Sequence, residues 1–242
     1  MWAGMAAAAT ITSISGTWQD PTPDGVHNLN IDNAVDGSET QISWGIPTES
    51  GEQSSFTAEW SGPQEIEIVP GETSTFEVGV FTHDNNIIKF TDWDLRAISS
   101  VELNVTMELL IDSEEYSFNQ TFTFLFDETL NYPDGECTYG GFADDALNPD
   151  GCRDRVVFVE NENVSEVLVV NGMAYSIEIT GFMVEDDLVS FFLTEENKAN
   201  QAKIVGRLVV EDIPQTPLPA AGWLLIAGFG ALAAVSRKRR SA

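Results

Sequence analysis

Apolar and polar residues alternate along most of this chain, a pattern typical of β-strands. The odd positions from Val101 to Ile111 are apolar, and the even positions from Tyr116 to Phe126 are aromatic apart from Gln120. The polar connector Asp112–Glu115 separates the two runs. Alternation with a period of two on both sides of a short polar loop predicts an antiparallel hairpin with one buried face.

Shorter segments of the same kind follow one another between turn signals. We predict ten further strands, at Thr10–Ser15, Thr40–Trp44, Ser54–Trp60, Glu65–Val69, Thr75–Thr82, Arg155–Glu160, Glu166–Val170, Ala174–Phe182, Leu188–Leu193 and Ala202–Val210. The turn-forming tripeptide Pro-Asp-Gly occurs three times between them. Many short strands with frequent turns predict an all-β fold, an antiparallel β-sandwich or jelly roll.

The C-terminal segment has a different pattern. Ala220–Val235 is apolar or small throughout, and Arg237, Lys238, Arg239 and Arg240 follow it. This order predicts one short transmembrane helix whose basic end stays in the cytoplasm, with the preceding residues outside. The small residues Ala6–Ala9 resemble the cleavage end of a signal peptide.

These patterns divide the chain into four parts. Residues 1–9 are predicted to be the remnant of a truncated signal peptide, and 10–211 the β-domain. Residues 212–217 form a proline-containing linker, and 218–242 combine a motif, the helix and the basic tail.

The charge of the chain argues against anionic binding partners. The net charge is −28, and the final six residues hold four of the 11 basic residues. The remaining 7 basic residues face 39 acidic ones, so the β-domain should repel nucleic acid and anionic lipid.

Two cysteines, Cys137 and Cys152, flank a loop-like stretch. In an exported chain they predict one disulfide, which should contribute roughly 3 kcal/mol by closing the loop.

The same stretch is rich in oxygen ligands. It carries Asp144, Asp145, Asn148 and Asp150, with Asp154 just beyond Cys152. Because Ca²⁺ takes six to eight oxygen ligands from flexible loops, these five residues are a candidate structural calcium site, although their spacing is not that of an EF-hand. A solvated acidic loop is the alternative, and we expect no other cofactor.

No catalytic residues are predicted. Neither His27 nor His83 lies near a nucleophile turn, and no phosphate loop or metalloprotease motif is present. Asp127 and Glu128 are the best pair for a glycosidase, but the sequence shows no second, facing carboxylate. Several aromatic residues outside the clean alternation could stack on sugars, namely Trp18, Trp60, Trp93, Tyr132 and Tyr139.

The C-terminal residues also carry a resemblance. Pro217, Leu218, Pro219 and Ala220, the apolar run and the final basic cluster closely resemble the VPLPA variety of the PEP-CTERM sorting signal of Gram-negative bacteria, over about 26 residues. Thr216 stands where that signal usually has Val. The resemblance implies that these four residues are a processing motif, cut by an exosortase-type membrane protease.

The body of the chain, roughly residues 14–210, looks like the choice-of-anchor K domain of secreted bacterial proteins. The segments that carry this resemblance are Gly16–Trp18, Ile42–Pro47, Ser54–Phe56, Phe76–His83 with Asn85 and Ile87, Asp127–Asn131, and Cys152–Val156. Leu130 replaces the family's usual proline. The family implies a location and an architecture but no biochemical activity.

Together these observations predict an exported, non-enzymatic β-sandwich protein. It would pass through an inner-membrane intermediate to the cell surface or extracellular matrix, with extracellular polysaccharide as a further partner. The alternatives are a carbohydrate-binding adhesin, with or without calcium, and a polysaccharide-active enzyme.

Overall fold

A computed structural model describes residues 7–33, 37–48, 51–69, 71–89, 97–132, 135–159 and 167–213. These residues form strands and connections and contain no α-helix. The strands are β1 Ala7–Thr22, β2 Asn30–Asn33, β3 Glu39–Trp44, β4 Ser54–Trp60, β5 Gln64–Ile68, β6 Thr73–Asn85, β7 Ser100–Ile111, β8 Glu114–Asp127, β9 Asp154–Val159, β10 Leu168–Val170, β11 Met173–Val184, β12 Asp187–Val189, β13 Phe191–Thr194 and β14 Lys198–Asp212.

The strands form two antiparallel sheets, so the prediction of an all-β fold is confirmed. The first sheet has the order β13-β9-β8-β7-β1-β5. The second has the order β10-β11-β14-β6-β4-β3-β2, and β12 pairs with β11 beside this path. The chain passes between the sheets several times, so each sheet is built from distant parts of the sequence.

The predicted hairpin is confirmed as β7 and β8. Their register runs without a shift from Ser100 opposite Leu125 to Ile111 opposite Glu114. The turn is only two residues long, because Asp112 and Ser113 both adopt positive φ, 50° and 71°. Such a turn twists in the same sense as the strands it joins.

The other predicted segments also coincide with strands, and the differences have physical reasons. The predicted strand Leu188–Leu193 is divided into β12 and β13, which belong to different sheets. Strand β2 was not predicted, because all four of its residues are exposed at a sheet edge and it has no buried face to produce alternation.

A core of aromatic rings joins the two sheets. Phe56 of β4 lies 4.7 Å from Trp44, 5.0 Å from Phe81 and 5.3 Å from Phe126 of the other sheet, measured between ring centroids. The Trp18 indole N–H of β1 donates a hydrogen bond to the carbonyl of Thr40 on β3 at 3.1 Å. The inner faces of both sheets are therefore fixed by contacts between large rings.

The ends of the chain are described only in part. Strand β1 begins at Ala7 and pairs with β5 from its first residue, so the fold includes Ala7–Ala9 of the segment assigned to a signal peptide. The chain divides into two units, residues 1–211 and 212–242. The predicted transmembrane helix lies outside the described residues, and within them no helix has the length and apolarity to cross a membrane.

We predict that Phe56→Ala lowers the free energy of unfolding by about 3–5 kcal/mol, because a fully buried ring is lost from the contact between the sheets. The matched control is Phe191→Ala, whose ring is 51% exposed and should cost less than about 1 kcal/mol. Urea denaturation of the full chain measures both values. Equal losses in the two variants would contradict this account of the core.

Candidate metal centre

Three acidic residues occupy inward-facing positions where neighbouring strands of the first sheet end. The buried alternation of β8 passes through Phe124 and Phe126 and would next reach Glu128. Strand β9 begins with Asp154, whose side chain is buried. The inward positions of β13, Phe192 and Thr194, are followed two residues later by Glu196. Each acid therefore continues a row of buried side chains.

Strand register brings these positions together. Asp127 pairs with Arg155, so extending the antiparallel register by one residue places Glu128 opposite Asp154. On the other side of β9, Thr194 pairs with Asp154. One carboxylate oxygen from each of Glu128, Asp154 and Glu196 lies within 4.8 Å of the others. We call these three residues the acidic centre.

Each acid of the centre has an oxygen without a partner. Thr129 donates its backbone N–H to Asp154 Oδ1 at 2.7 Å, and Asn131 Nδ2 donates to Glu196 Oε1 at 2.7 Å. The second oxygens, Asp154 Oδ2 and Glu196 Oε2, are buried and make no hydrogen bond. Glu128 is half-buried as a residue, but its Oε2 is also buried and without a partner.

The second sheet contributes polar residues to the same end of the core. Asn85, the last residue of β6, is completely buried and donates Nδ2 to the Thr194 carbonyl at 3.2 Å. Its amide lies beside Asp154, whereas its Oδ1 has no hydrogen-bond partner. His83 is two residues earlier on β6, and its Nδ1 lies 3.0 Å from Thr194 Oγ1.

Burial shifts the ionisation of every titratable group here. It raises the pKa of Glu128 and Asp154 well above their ordinary values, with a further increase from the neighbouring carboxylates, and it raises the pKa of Glu196 to about 7. Burial alone lowers the pKa of His83 to about 3, so this ring is neutral.

Hydrogen-bond donors near the acids oppose this rise in pKa without cancelling it. The Trp44 indole lies close enough to favour ionised Glu128, although its N–H makes no hydrogen bond of ordinary geometry. No ion pair among the described residues includes a member of the acidic centre. Three buried carboxyl groups without a counter-charge must either retain protons or bind a cation.

A long disulfide-bridged connection supports the acidic centre. Residues 128–153 join β8 to β9, and the predicted disulfide between Cys137 and Cys152 is confirmed, with Cα atoms 5.2 Å apart. Within this connection the backbone N–H of Cys152 donates to Asn131 Oδ1 at 2.6 Å, and Thr129 Oγ1 donates to the Cys152 carbonyl at 3.0 Å. The disulfide is therefore linked by hydrogen bonds to both residues that hold the carboxylates.

The structure distributes the five predicted calcium ligands differently. Asp145 accepts backbone N–H groups from Phe142, Leu147 and Asn148, which lower its pKa. The Asn148 side chain donates to the carbonyls of Gly140 and Phe142. Asp144 and Asp150 are exposed and join no metal-binding group of acids in the described part of the chain. Of the five, only Asp154 belongs to the acidic centre.

The pair considered for a glycosidase is divided between two faces of the sheet. Asp127 is exposed, accepts a hydrogen bond from the Tyr139 hydroxyl and lies 3.9 Å from Arg155 Nη2. Burial and this hydrogen bond raise the pKa of Tyr139 to about 12. Glu128 instead points to the acidic centre, so the two carboxylates do not face a common substrate groove.

The other candidate residues lie in varied surroundings. Trp18 is part of the core, Trp60 is half-buried and Tyr132 is exposed. Three further predictions lie outside the described residues. They are Trp93, the processing motif of Pro217, Leu218, Pro219 and Ala220, and the basic residues Arg237, Lys238, Arg239 and Arg240.

No family model and no curated protein sequence matches the chain. The resemblances drawn from its sequence therefore remain predictions.

The sequence predicted functional roles for Asp154 and Glu128, though at different sites, and predicted none for Glu196 or Asn85. One feature of the sequence pattern indicates Glu196 and Asn85. A polar residue replaces an apolar one at an inward position of Phe192-Leu-Thr-Glu-Glu196 and of Phe81-Thr-His-Asp-Asn85. Such a replacement at the end of a period-two pattern indicates a buried polar group that needs a partner.

We predict that Gly151→Ala destabilises the protein by about 1–3 kcal/mol more than Gly140→Ala. Both glycines have positive φ, 130° and 91°, so both substitutions strain the backbone. Only at Gly151 would the added Cβ meet the acidic centre, 2.6 Å from Asn131 Oδ1 and 3.0 Å from Glu196 Cγ. Thermal unfolding of the two variants measures the difference, and equal melting temperatures would contradict it.

Proposed function

We propose that this chain is an exported, non-enzymatic protein that is processed at its C-terminal signal and acts at the cell surface or in the extracellular matrix of a Gram-negative bacterium. The observation that carries export is the disulfide between Cys137 and Cys152, the only two cysteines of the chain. Disulfides persist in oxidising compartments and are rare in the bacterial cytosol.

The C-terminal sequence supports sorting. Proline disfavours a regular helix, so Pro217 and Pro219 would help to present an extended segment to an exosortase-type membrane protease. The apolar stretch that follows would stop transfer, and the four cations after it would remain on the cytoplasmic side.

The architecture proposed for the exported part is a β-sandwich of the jelly-roll kind. Two antiparallel sheets that share one aromatic core support this proposal. The strong negative charge supports a role among polysaccharides and cations rather than nucleic acids.

A carbohydrate-binding adhesin is the second candidate. The rings of Tyr132 and Phe142 are 54% and 55% exposed and belong to the disulfide-bridged connection, where they could stack on sugars. A polysaccharide-active enzyme has less support, because Oε2 of Glu128 is buried and Asp127 lies on the other face of the sheet. A glycan array would test the adhesin, because a protein that does not bind sugars gives no signal on the array. Probing it with and without a chelator would show whether binding needs calcium.

The sorting proposal predicts that the double variant Pro217→Ala/Pro219→Ala accumulates unprocessed in the inner membrane, because a helix can then continue through the motif. Pro214→Ala, in the linker just before the motif, is the matched control and should be processed normally. The measurement is mass spectrometry of the C-terminus after fractionation of an exosortase-bearing host. Processing of the double variant at the rate of the control would show the proposal to be wrong.

A further inference from the structure

The acidic centre has the arrangement of a cation site. The oxygens Asp154 Oδ1 and Glu196 Oε1 are held by N–H donors of the long connection, and the opposite oxygen of each carboxylate has no partner. In metal sites, outer hydrogen bonds commonly orient a carboxylate in this way and leave its other oxygen for the ion. From this geometry we infer that Glu128, Asp154 and Glu196 bind one calcium ion.

An observation on the opposite sheet supports the same site independently. Asn85 is completely buried, its amide lies beside Asp154, and its Oδ1 has no hydrogen-bond partner. A buried amide oxygen without a donor is costly, whereas it is an ordinary calcium ligand. Asn85 therefore brings a buried amide group from β6 of the second sheet up to the acidic centre, and rotating this amide by 180° would turn its oxygen toward Asp154 as a fourth protein ligand.

The donor chemistry selects calcium. The unpartnered oxygens belong to three carboxylates and one amide, which suit hard cations, and no cysteine or histidine belongs to the group. Oxygens bound to one Ca²⁺ at about 2.4 Å can be separated by at most about 4.8 Å. The acidic centre satisfies this limit, since one carboxylate oxygen from each of its three acids lies within 4.8 Å of the other two.

The ion would add a further link between parts of the fold that hydrogen bonds and ring contacts already join at this end. Glu128 is the first residue of the long connection between β8 and β9, and Asp154 is the residue that follows this connection. Glu196 lies in the turn before β14, and Asn85 ends β6. Bound calcium would replace mutual repulsion between buried carboxylates by attraction to a common centre. It is thus a clamp between the two sheets. The statement that the clamp closes only after export rests on the proposed function. Calcium binding itself does not depend on that function.

The test uses the oxidised full chain in detergent, treated with chelator and then titrated with CaCl₂ in a calorimeter. We expect one ion per chain and a melting temperature that rises by roughly 5–10 °C at a calcium concentration a hundred times the measured Kd. Terbium, a calcium mimic, should give emission sensitised by Trp44 beside Glu128, and calcium should displace it.

Variants locate the ion. The double variant Glu128→Gln/Glu196→Gln keeps the side-chain shapes and should bind calcium about a hundredfold more weakly or worse, because calcium affinity follows the charge of its ligands. Glu195→Gln alters the exposed neighbour that pairs with Lys198 and is the matched control. Asp144→Asn tests the loop site and should also bind normally, because Asp144 is exposed and is not part of the acidic centre.

Several results would overturn the inference. These are no calcium heat and no terbium emission in the wild-type chain, unchanged binding by Glu128→Gln/Glu196→Gln, or loss of binding in Asp144→Asn. Near-ultraviolet circular dichroism shows whether the double variant is folded, and if it is not, the single variant Glu196→Gln replaces it. None of these binding measurements depends on secretion, so a failure to bind calcium would leave the sorting proposal intact. Normal processing of the Pro217→Ala/Pro219→Ala variant would likewise leave the calcium site intact.

Discussion

Packing of aromatic rings between the two sheets is the interaction on which the rest of this structure depends. Phe56, Phe81 and Trp44 of the second sheet meet Trp18, Phe124 and Phe126 of the first. Because side chains alternate along a strand, fixing these rings inward also fixes which face every later residue of the strand takes. The position of the acidic centre is a consequence of this constraint.

At one end of the core the inward rows change from rings to acids and amides. The row of β8 passes from Phe126 to Glu128, and that of β6 passes from Phe81 through His83 to Asn85. An acid in such a position loses its hydration, and burial therefore raises the pKa of all three carboxyl groups. In this arrangement an N–H donor of the long connection holds one oxygen of each of Asp154 and Glu196, which orients the carboxylate without neutralising it.

The disulfide-bridged connection links the proposed location of the protein to this chemistry. Cys152 lies two residues before Asp154, and its backbone N–H holds the Asn131 side chain that in turn holds Glu196. Oxidation of the cysteines and organisation of the acidic centre thus involve the same few residues. The loop acids that a composition-based argument favours are occupied differently, since Asp145 and Asn148 stabilise the loop through its own backbone.

The sequence alone is enough to predict the all-β class, the β7–β8 hairpin and its buried face, nearly all strands and the disulfide, because alternation, turn residues and a single cysteine pair are local or unambiguous signals. It also named Asp154 and Glu128, but for separate purposes. That these two acids lie beside Glu196 and Asn85 is seen only in the folded chain. Those four residues are up to 111 positions apart in the chain, and their proximity depends on strand register and on the facing of two sheets, which no local pattern encodes.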